Sequence, residues 1–304
     1  MIRLIETGLE SSPSGRHEYL VGIDGGGTAC RARLADMDLR ILGTGQAGPA
    51  NAFLELDRVR QSILEAVTHA VLDAGLSTDD FCRLHVGMAL AGGDDPSVRQ
   101  ALTQVPWSFA SVCIESDAYG ACLGAYEGAD GAIQIVGTGS CGLLLQDSRI
   151  NKVGGHEFPI SDLGSGAVLG LEAIRKTLLA HDGVIAPSEL TDSIYRQFDG
   201  DIDAIVHWSK TALPADYGLF ARQLFDCAEN GDPLAAAIVE QGVRDVAGLI
   251  QALCDRGATR VALMGSVAQR MKPNLQQAFG ELIVEPRQDA VYGALLMARD
   301  SAGG

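Results

Sequence analysis

Residues 21–30 read VGIDGGGTAC, an apolar run that closes on an aspartate, three glycines and a threonine. The residues after them constrain the fold most. A dinucleotide-binding or Walker turn opens a helix at this point, whereas ACRARLADMDLRILGTG alternates apolar Cys30, Ala32 and Leu34 with polar Arg31, Arg33 and Asp36. A period of two is that of a half-buried strand. Met37-Asp38 then supplies a turn and Leu39 to Gly43 a third strand, which puts the glycines in the loop of a hairpin.

The same grammar returns from residue 132: AIQIV, GTGS, CGLLLQ, a turn at Asp147-Ser148, and RINKVGG. One long-range repeat of a supersecondary unit points to two similar halves facing each other. Between and after the repeats, the pattern predicts helices over 54–74 and at 117 onward, a buried strand LHVGMAL, a helix after AGGDDPS and a strand SVCIE. It then predicts helices near 164–181, 187–199, 201–211, 215–230 and 232–256, the strand RVALMGSV, a short strand at 281–285 and a closing helix from RQDAVYGALLMAR.

A chain of 304 residues exceeds the usual single domain, so two domains are expected. Its net charge of −16, from 23 basic and 39 acidic residues, repels nucleic acid and anionic membrane and removes both as partners. The seven cysteines lack C-x-x-C spacing and read as buried, reduced thiols of a cytoplasmic protein. Residues 1–17 carry no signal-peptide core and read as a flexible leader.

Three segments carry candidate chemistry. In DGGGT, Gly25, Gly26 and Gly27 leave backbone N–H groups open to phosphate oxygens, Thr28 adds a hydroxyl, and Asp24 suits a hydrated magnesium ion. A hairpin turn needing positive φ explains the same glycines. Thr138, Gly139 and Ser140 repeat that equipment, and two such hairpins can clamp a polyphosphate from both sides. Gly265 and Ser266 stand where a strand meets a helix; they form either a serine-capped turn or a bare backbone against which a nucleobase can slide. Asp117 lies between a strand and a helix, as a helix cap or as a carboxylate that reaches a cleft. His156-Glu157 offers too few ligands for zinc.

Together these segments resemble the phosphate 1, phosphate 2 and adenosine motifs of the sugar kinase, Hsp70 and actin superfamily. Within it the chain is most similar to the N-acetylglucosamine kinase and BadF/BadG ATPase family, through GPAN at 48–51, ESDA at 115–118, VGGH at 153–156 and SDLGSG at 161–166. The resemblance implies two ribonuclease H-like (actin-like ATPase) α/β domains flanking a cleft, over 18–116 plus 288–304 and over 117–287, with the C-terminal helix returning to the first. It implies ATP and Mg²⁺ as cofactors and an amino sugar, N-acetylglucosamine or glucosamine, phosphorylated on its 6-hydroxyl. Asp117 is then the general base, and Asn51, His156 and Asp162 join it in binding the sugar.

His156 stands where relatives often carry Trp and Leu163 where they carry Glu. Gly92 and Gly93 back the acetamido group or simply form the loop before the next helix. Relatives are often dimers, so a homodimer is an expectation. The competing functions are a BadF-type ATPase that activates a dehydratase through an iron–sulfur cluster, and a non-enzymatic nucleotide-binding regulator. The first needs cysteine thiolates presented at a dimer face.

Overall fold

The computed structural model describes residues 18–51 and 54–303; the expected leader lies outside the described residues. The first half contains β1 (Tyr19–Gly25), β2 (Cys30–Ala35), β3 (Ile41–Ala47), α1 (Leu56–Asp73), β4 (Leu84–Leu90), α2 (Pro96–Thr103) and β5 (Ser111–Ser116). The second contains α3 (Asp117–Tyr126), β6 (Gly131–Val136), β7 (Ser140–Gln146), β8 (Arg149–Gly154), α4 (Gly166–His181), α5 (Glu189–Gln197) and α6 (Ile202–Ser209). It continues with α7 (Pro214–Glu229), α8 (Pro233–Cys254), β9 (Val261–Met264), α9 (Ser266–Phe279) and β10 (Ile283–Val284), and α10 (Ala290–Ala302) ends the chain.

The repeat read in the sequence is a repeat of topology. One sheet runs β3-β2-β1-β4-β5 and the other β8-β7-β6-β9-β10. Each has two antiparallel pairings at its hairpin end and two parallel ones beyond. Strand β4 is buried at all seven residues, as expected of a parallel strand covered on both faces.

The third strand starts two residues later than Leu39 and ends at Ala47 rather than Gly43. The cause is the turn before it. The Asp36 carboxylate accepts from the Asp38 and Arg40 N–H groups at 3.1 and 2.9 Å, and Leu39 takes the left-handed conformation at φ 65°. The strand then extends because Gly43 and Gly45 let α1 lie directly on it. A Cβ at those positions would stand 2.2 and 2.0 Å from the Ala70 and Ala66 carbonyl oxygens.

Strand alternation sends Val21 and Ile23 into the core with Val59, Ile63 and Val67 of α1, each such side chain contributing roughly 1.5–3 kcal/mol on burial. The opposite face receives α10, where Leu20 meets Leu295 and Ala298. In the second half, Ala132, Val136 and Leu144 pack toward α8 and α9 with α4–α7 behind. Ile133, Leu143 and Leu145 face α3, which shares a core with Met297 of α10. α3 and α10 therefore join the two sheets. They cross at glycines: a Cβ on Gly293 would lie 1.8 Å from the Gly120 carbonyl oxygen, and one on Gly124 would lie 2.0 Å from that of Asp289. Arg33 of β2 fixes the start of α10 with two hydrogen bonds to the Asp289 carboxylate, at 2.8 and 2.6 Å.

Candidate active site

A cavity of about 500 Å³ opens where the two halves meet. From the first half come Gly27, Asn51, Gly92, Asp94, Arg99 and Glu115; from the second come Asp117 at its very start, Gly137–Cys141, Lys152, Glu157 and Asp162. Five carboxylates and two cations thus line it among the described residues.

Asp117 is the first residue of α3. The helix is capped by its neighbour Ser116, whose hydroxyl accepts from the Tyr119 N–H at 3.2 Å. The capping role weighed for Asp117 therefore belongs to Ser116, and the Asp117 carboxylate accepts from the Ala118 N–H at 2.8 Å inside the cavity. Burial pushes its carboxyl above the usual range; the Ala118 N–H opposes this, while Asp24 and Asp94 add to it and Lys152 again opposes.

None of Gly25, Gly26 and Gly27 has a positive φ, so the hairpin turn does not require them for its conformation. Gly25 is required by packing, since a Cβ there would stand 2.5 Å from Leu90 Cδ2 and 2.8 Å from the Ala50 carbonyl oxygen. At Gly26 and Gly27 the space is open: the nearest atoms would be 3.9 and 3.5 Å away, the latter Nδ2 of Asn51. Thr28 is exposed at the loop tip. Asp24 faces its cross-strand partner Arg31 and forms an ion pair with it. It does not line the cavity, although its charge reaches Asp117.

The second turn is built into the helix behind it. Gly137 and Thr138 accept from the Gly166 and Ala167 N–H groups of α4, at 2.8 and 3.1 Å. A Cβ on Gly137 would meet nothing within 4 Å. Gln134, wholly buried in β6, donates to Ser140 Oγ at 3.2 Å and fixes the far side of the turn. The two glycine-bearing turns thus offer open backbone from opposite halves.

Asp162 is 8 % exposed and sits at φ 62°. Ser165, not Asp162, caps α4, accepting from the Val168 N–H. Its carboxylate lies against Gly139, where a Cβ would be 3.0 Å from Oδ2. Burial raises its carboxyl, opposed by the Ser140 N–H and by Lys152 and His156. The left-handed residues Glu157 and Asp162 are sterically costly, roughly 1–3 kcal/mol each. The loop that imposes them is tied by Ser161 N–H to the Glu157 carbonyl oxygen at 2.9 Å.

His156 is exposed and outside the cavity lining. Gly265 and Ser266 are also outside it. Gly265, not Ser266, is the α9 cap residue, and it makes no side-chain cap. Its φ of 96° and the 2.4 Å that would separate a Cβ from the Val136 carbonyl oxygen make it obligatory beside the second turn.

Sequence reasoning gave no role to Asp94, Arg99, Glu115 and Lys152, and it weighed Glu157 only as a zinc ligand. Arg99 grips the Glu115 carboxylate with two hydrogen bonds, at 2.9 and 2.8 Å, and the Gly93 carbonyl oxygen with two more. Lys152 carried a signal, because in RINKVGG it shares a strand face with Ile150.

The thiols also differ from expectation. Cys82 is exposed and Cys113, Cys141 and Cys254 are half-buried, leaving Cys30, Cys122 and Cys227 in the core. Burial pushes Cys30 and Cys122 up to about 12 and Cys141 up to about 11, which keeps the free thiols protonated. Among the described residues, no three His, Cys, Asp or Glu side chains gather as a metal site, and no helix is long and apolar enough to cross a membrane.

Residues 21–298 match the model of the BadF/BadG/BcrA/BcrD ATPase family. The chain belongs to this family. It is 48% identical over 280 residues to glucosamine kinase GspK of Vibrio cholerae serotype O1, covering 92% of this chain and 95% of that one. A crystal structure of a candidate N-acetylglucosamine kinase from Chromobacterium violaceum matches with a TM-score of 0.87 and 31% identity, over 93% of this chain and 99% of that chain. A ROK family glucokinase from Streptomyces griseus, solved with glucose and AMPPNP, matches with a TM-score of 0.57 and 18% identity, over 94% and 100% of the two chains. That last likeness conveys the fold alone: two domains of the actin-like ATPase type.

Proposed function

We propose that the chain is an ATP-dependent kinase that phosphorylates the 6-hydroxyl of an amino sugar, glucosamine first and N-acetylglucosamine second. The observation that carries this reading is a half-buried carboxylate, Asp117, in one cavity with the open backbone of Gly27 and of Gly137, one from each half. Similarity to a glucosamine kinase over nearly the whole length supports it and sets the order of the two sugars.

In this reading the glycine turns, with Thr28, Thr138 and Ser140, hold the ATP phosphates; Gly265 and Ser266 border the nucleoside. Asn51, Asp162 and His156 hold the sugar. Asp117 accepts the 6-hydroxyl proton as that oxygen attacks the γ-phosphorus in line and ADP leaves. Asp24 is an oxygen donor of the kind magnesium prefers and would be the residue that holds the ion, while sharing its charge with Arg31. The ion supplies charge neutralisation on the phosphates when bound. The domain limits are 18–116 with 288–304, and 117–287. A cytoplasmic homodimer completes the reading, checked by light scattering on the purified chain.

The decisive experiment is ADP release, followed by a coupled assay, across a panel of hexoses and amino sugars. The reading requires release that depends on an amino sugar; release indifferent to sugar, or a brown iron-containing protein, overturns it. Gly27→Ala tests the phosphate placement. Its Cβ would fit 3.5 Å from Asn51 Nδ2 without displacing backbone, so the thermal midpoint should hold. KM for ATP should rise about tenfold, ~1.4 kcal/mol, because the methyl obstructs the close approach of a phosphate oxygen to the Gly27 backbone. An unchanged KM would move the phosphates elsewhere.

A further inference from the structure

One ion pair in the cavity belongs to neither glycine turn and crosses from one half to the other. Lys152 Nζ on β8 donates to Asp94 Oδ2, in the loop before α2, at 2.8 Å. The two partners are unequally fixed. Asp94 follows Gly92, at φ 80°, and Gly93, where a Cβ would stand 2.5 Å from the Glu115 carbonyl oxygen. Arg99 holds the same loop through the Gly93 carbonyl oxygen at 3.2 and 3.1 Å. Lys152 is the end of a flexible side chain, and with the pair 37 % and 49 % exposed the contact contributes only ~0–1 kcal/mol. Asp94 is thus a rigid carboxylate with an ammonium already standing on it, and that ammonium is easily displaced.

We propose that Asp94 is the group that recognises the free C2 ammonium of a glucosamine-type substrate, and that Lys152 is its stand-in while the cleft holds no sugar. This rests on the amino-sugar kinase reading. Exchange of one ammonium for another leaves Asp94 paired throughout. A neutral sugar cannot displace Lys152 and must share the cavity with it. The surrounding excess of carboxylates favours a cationic sugar in the same direction. Lys152 holds the Asp94 carboxyl below the usual carboxylate range, so it is ionised at neutral pH and ready to take a cation.

The test is isothermal titration of the full chain with glucosamine, N-acetylglucosamine and glucose, in the wild type, Asp94→Asn and Lys152→Met. Wild type should bind glucosamine at least tenfold more tightly than glucose. Asp94→Asn should erase that preference by weakening glucosamine tenfold or more while changing glucose less than threefold. Lys152→Met, which removes the resident ammonium, should tighten glucosamine severalfold.

If the pair is instead a latch between the halves, both variants weaken all three sugars together. That result overturns the proposal, as does an unchanged or weakened glucosamine affinity in Lys152→Met. Failure of the kinase reading looks different, because then no hexosamine supports ADP release in the wild type.

Discussion

Asp117→Asn is expected to lower kcat by at least about a hundredfold, the low end for loss of a general base, while KM for the sugar changes little. Asn keeps the volume and can still accept from the Ala118 N–H, so the cavity wall survives and only proton acceptance is lost. Initial rates at saturating ATP decide it, and activity within tenfold of wild type would remove Asp117 from the chemistry.

The same residue sets an acid limit. The base must be ionised, and burial raises its pKa, so kcat/KM should fall as pH drops through a value above the ordinary ~3.9 of aspartate. The limb should vanish in the Asn variant.

Stability should move in the opposite sense. Between the unfolded and the raised folded pKa, the native state binds more protons, so Asp117 costs stability progressively as pH rises through that window. Above it the ionised carboxylate, partly removed from water, is a standing cost. Asp117→Asn should therefore melt higher than wild type at pH 7 and lose that advantage below the unfolded pKa, where Asp117 is protonated in both states. A variant that melts lower at pH 7 would contradict the burial argument.

Gly293→Val should be the most destabilising single substitution proposed. Its Cβ would sit 1.8 Å from the Gly120 carbonyl oxygen and 2.8 Å from Gly124 N, all backbone, so α3 and α10 must part. Parting them opens two cores at once, because α10 covers Leu20 on the first sheet and α3 covers Ile133 and Leu143 on the second. Overpacking of a rigid contact costs about 3 kcal/mol or more, on the order of 10 °C in thermal midpoint for a domain of this size. Gly248→Ala is the control. It is exposed on α8 with nothing within 4 Å of its Cβ, and the change should be neutral or stabilise by roughly 0.5–1 kcal/mol. Equal losses in both variants would mean that helix glycines are uniformly sensitive and the crossing is not special.

The period of alternation and the place of each glycine turn were legible because both are local: Cys30, Ala32 and Leu34 must point one way whatever else the chain does. The repeat of that unit at 131–154 was enough to anticipate two sheets of one topology. Local pattern also placed Asp117 at a strand-to-helix junction, but not the serine beside it as the cap. It could not tell why the glycines were there. Gly25 is excluded from bearing a side chain by Leu90 and Ala50, while Gly26 and Gly27 simply face open space.

The sequence by itself therefore determined the two-half architecture, the hairpin position of both glycine turns and the strand-to-helix placement of Asp117, since each follows from side-chain periodicity and turn chemistry over a few residues. The tertiary structure decided which charges meet: Asp24 with Arg31 across one hairpin, Lys152 with Asp94 across the cleft, and Arg99 with Glu115 behind it. It also decided that α3 and α10 touch through bare backbone. Partners such as Lys152 and Asp94, far apart in the chain, are brought together by packing, and the spacing of residues along the chain carries no record of that distance.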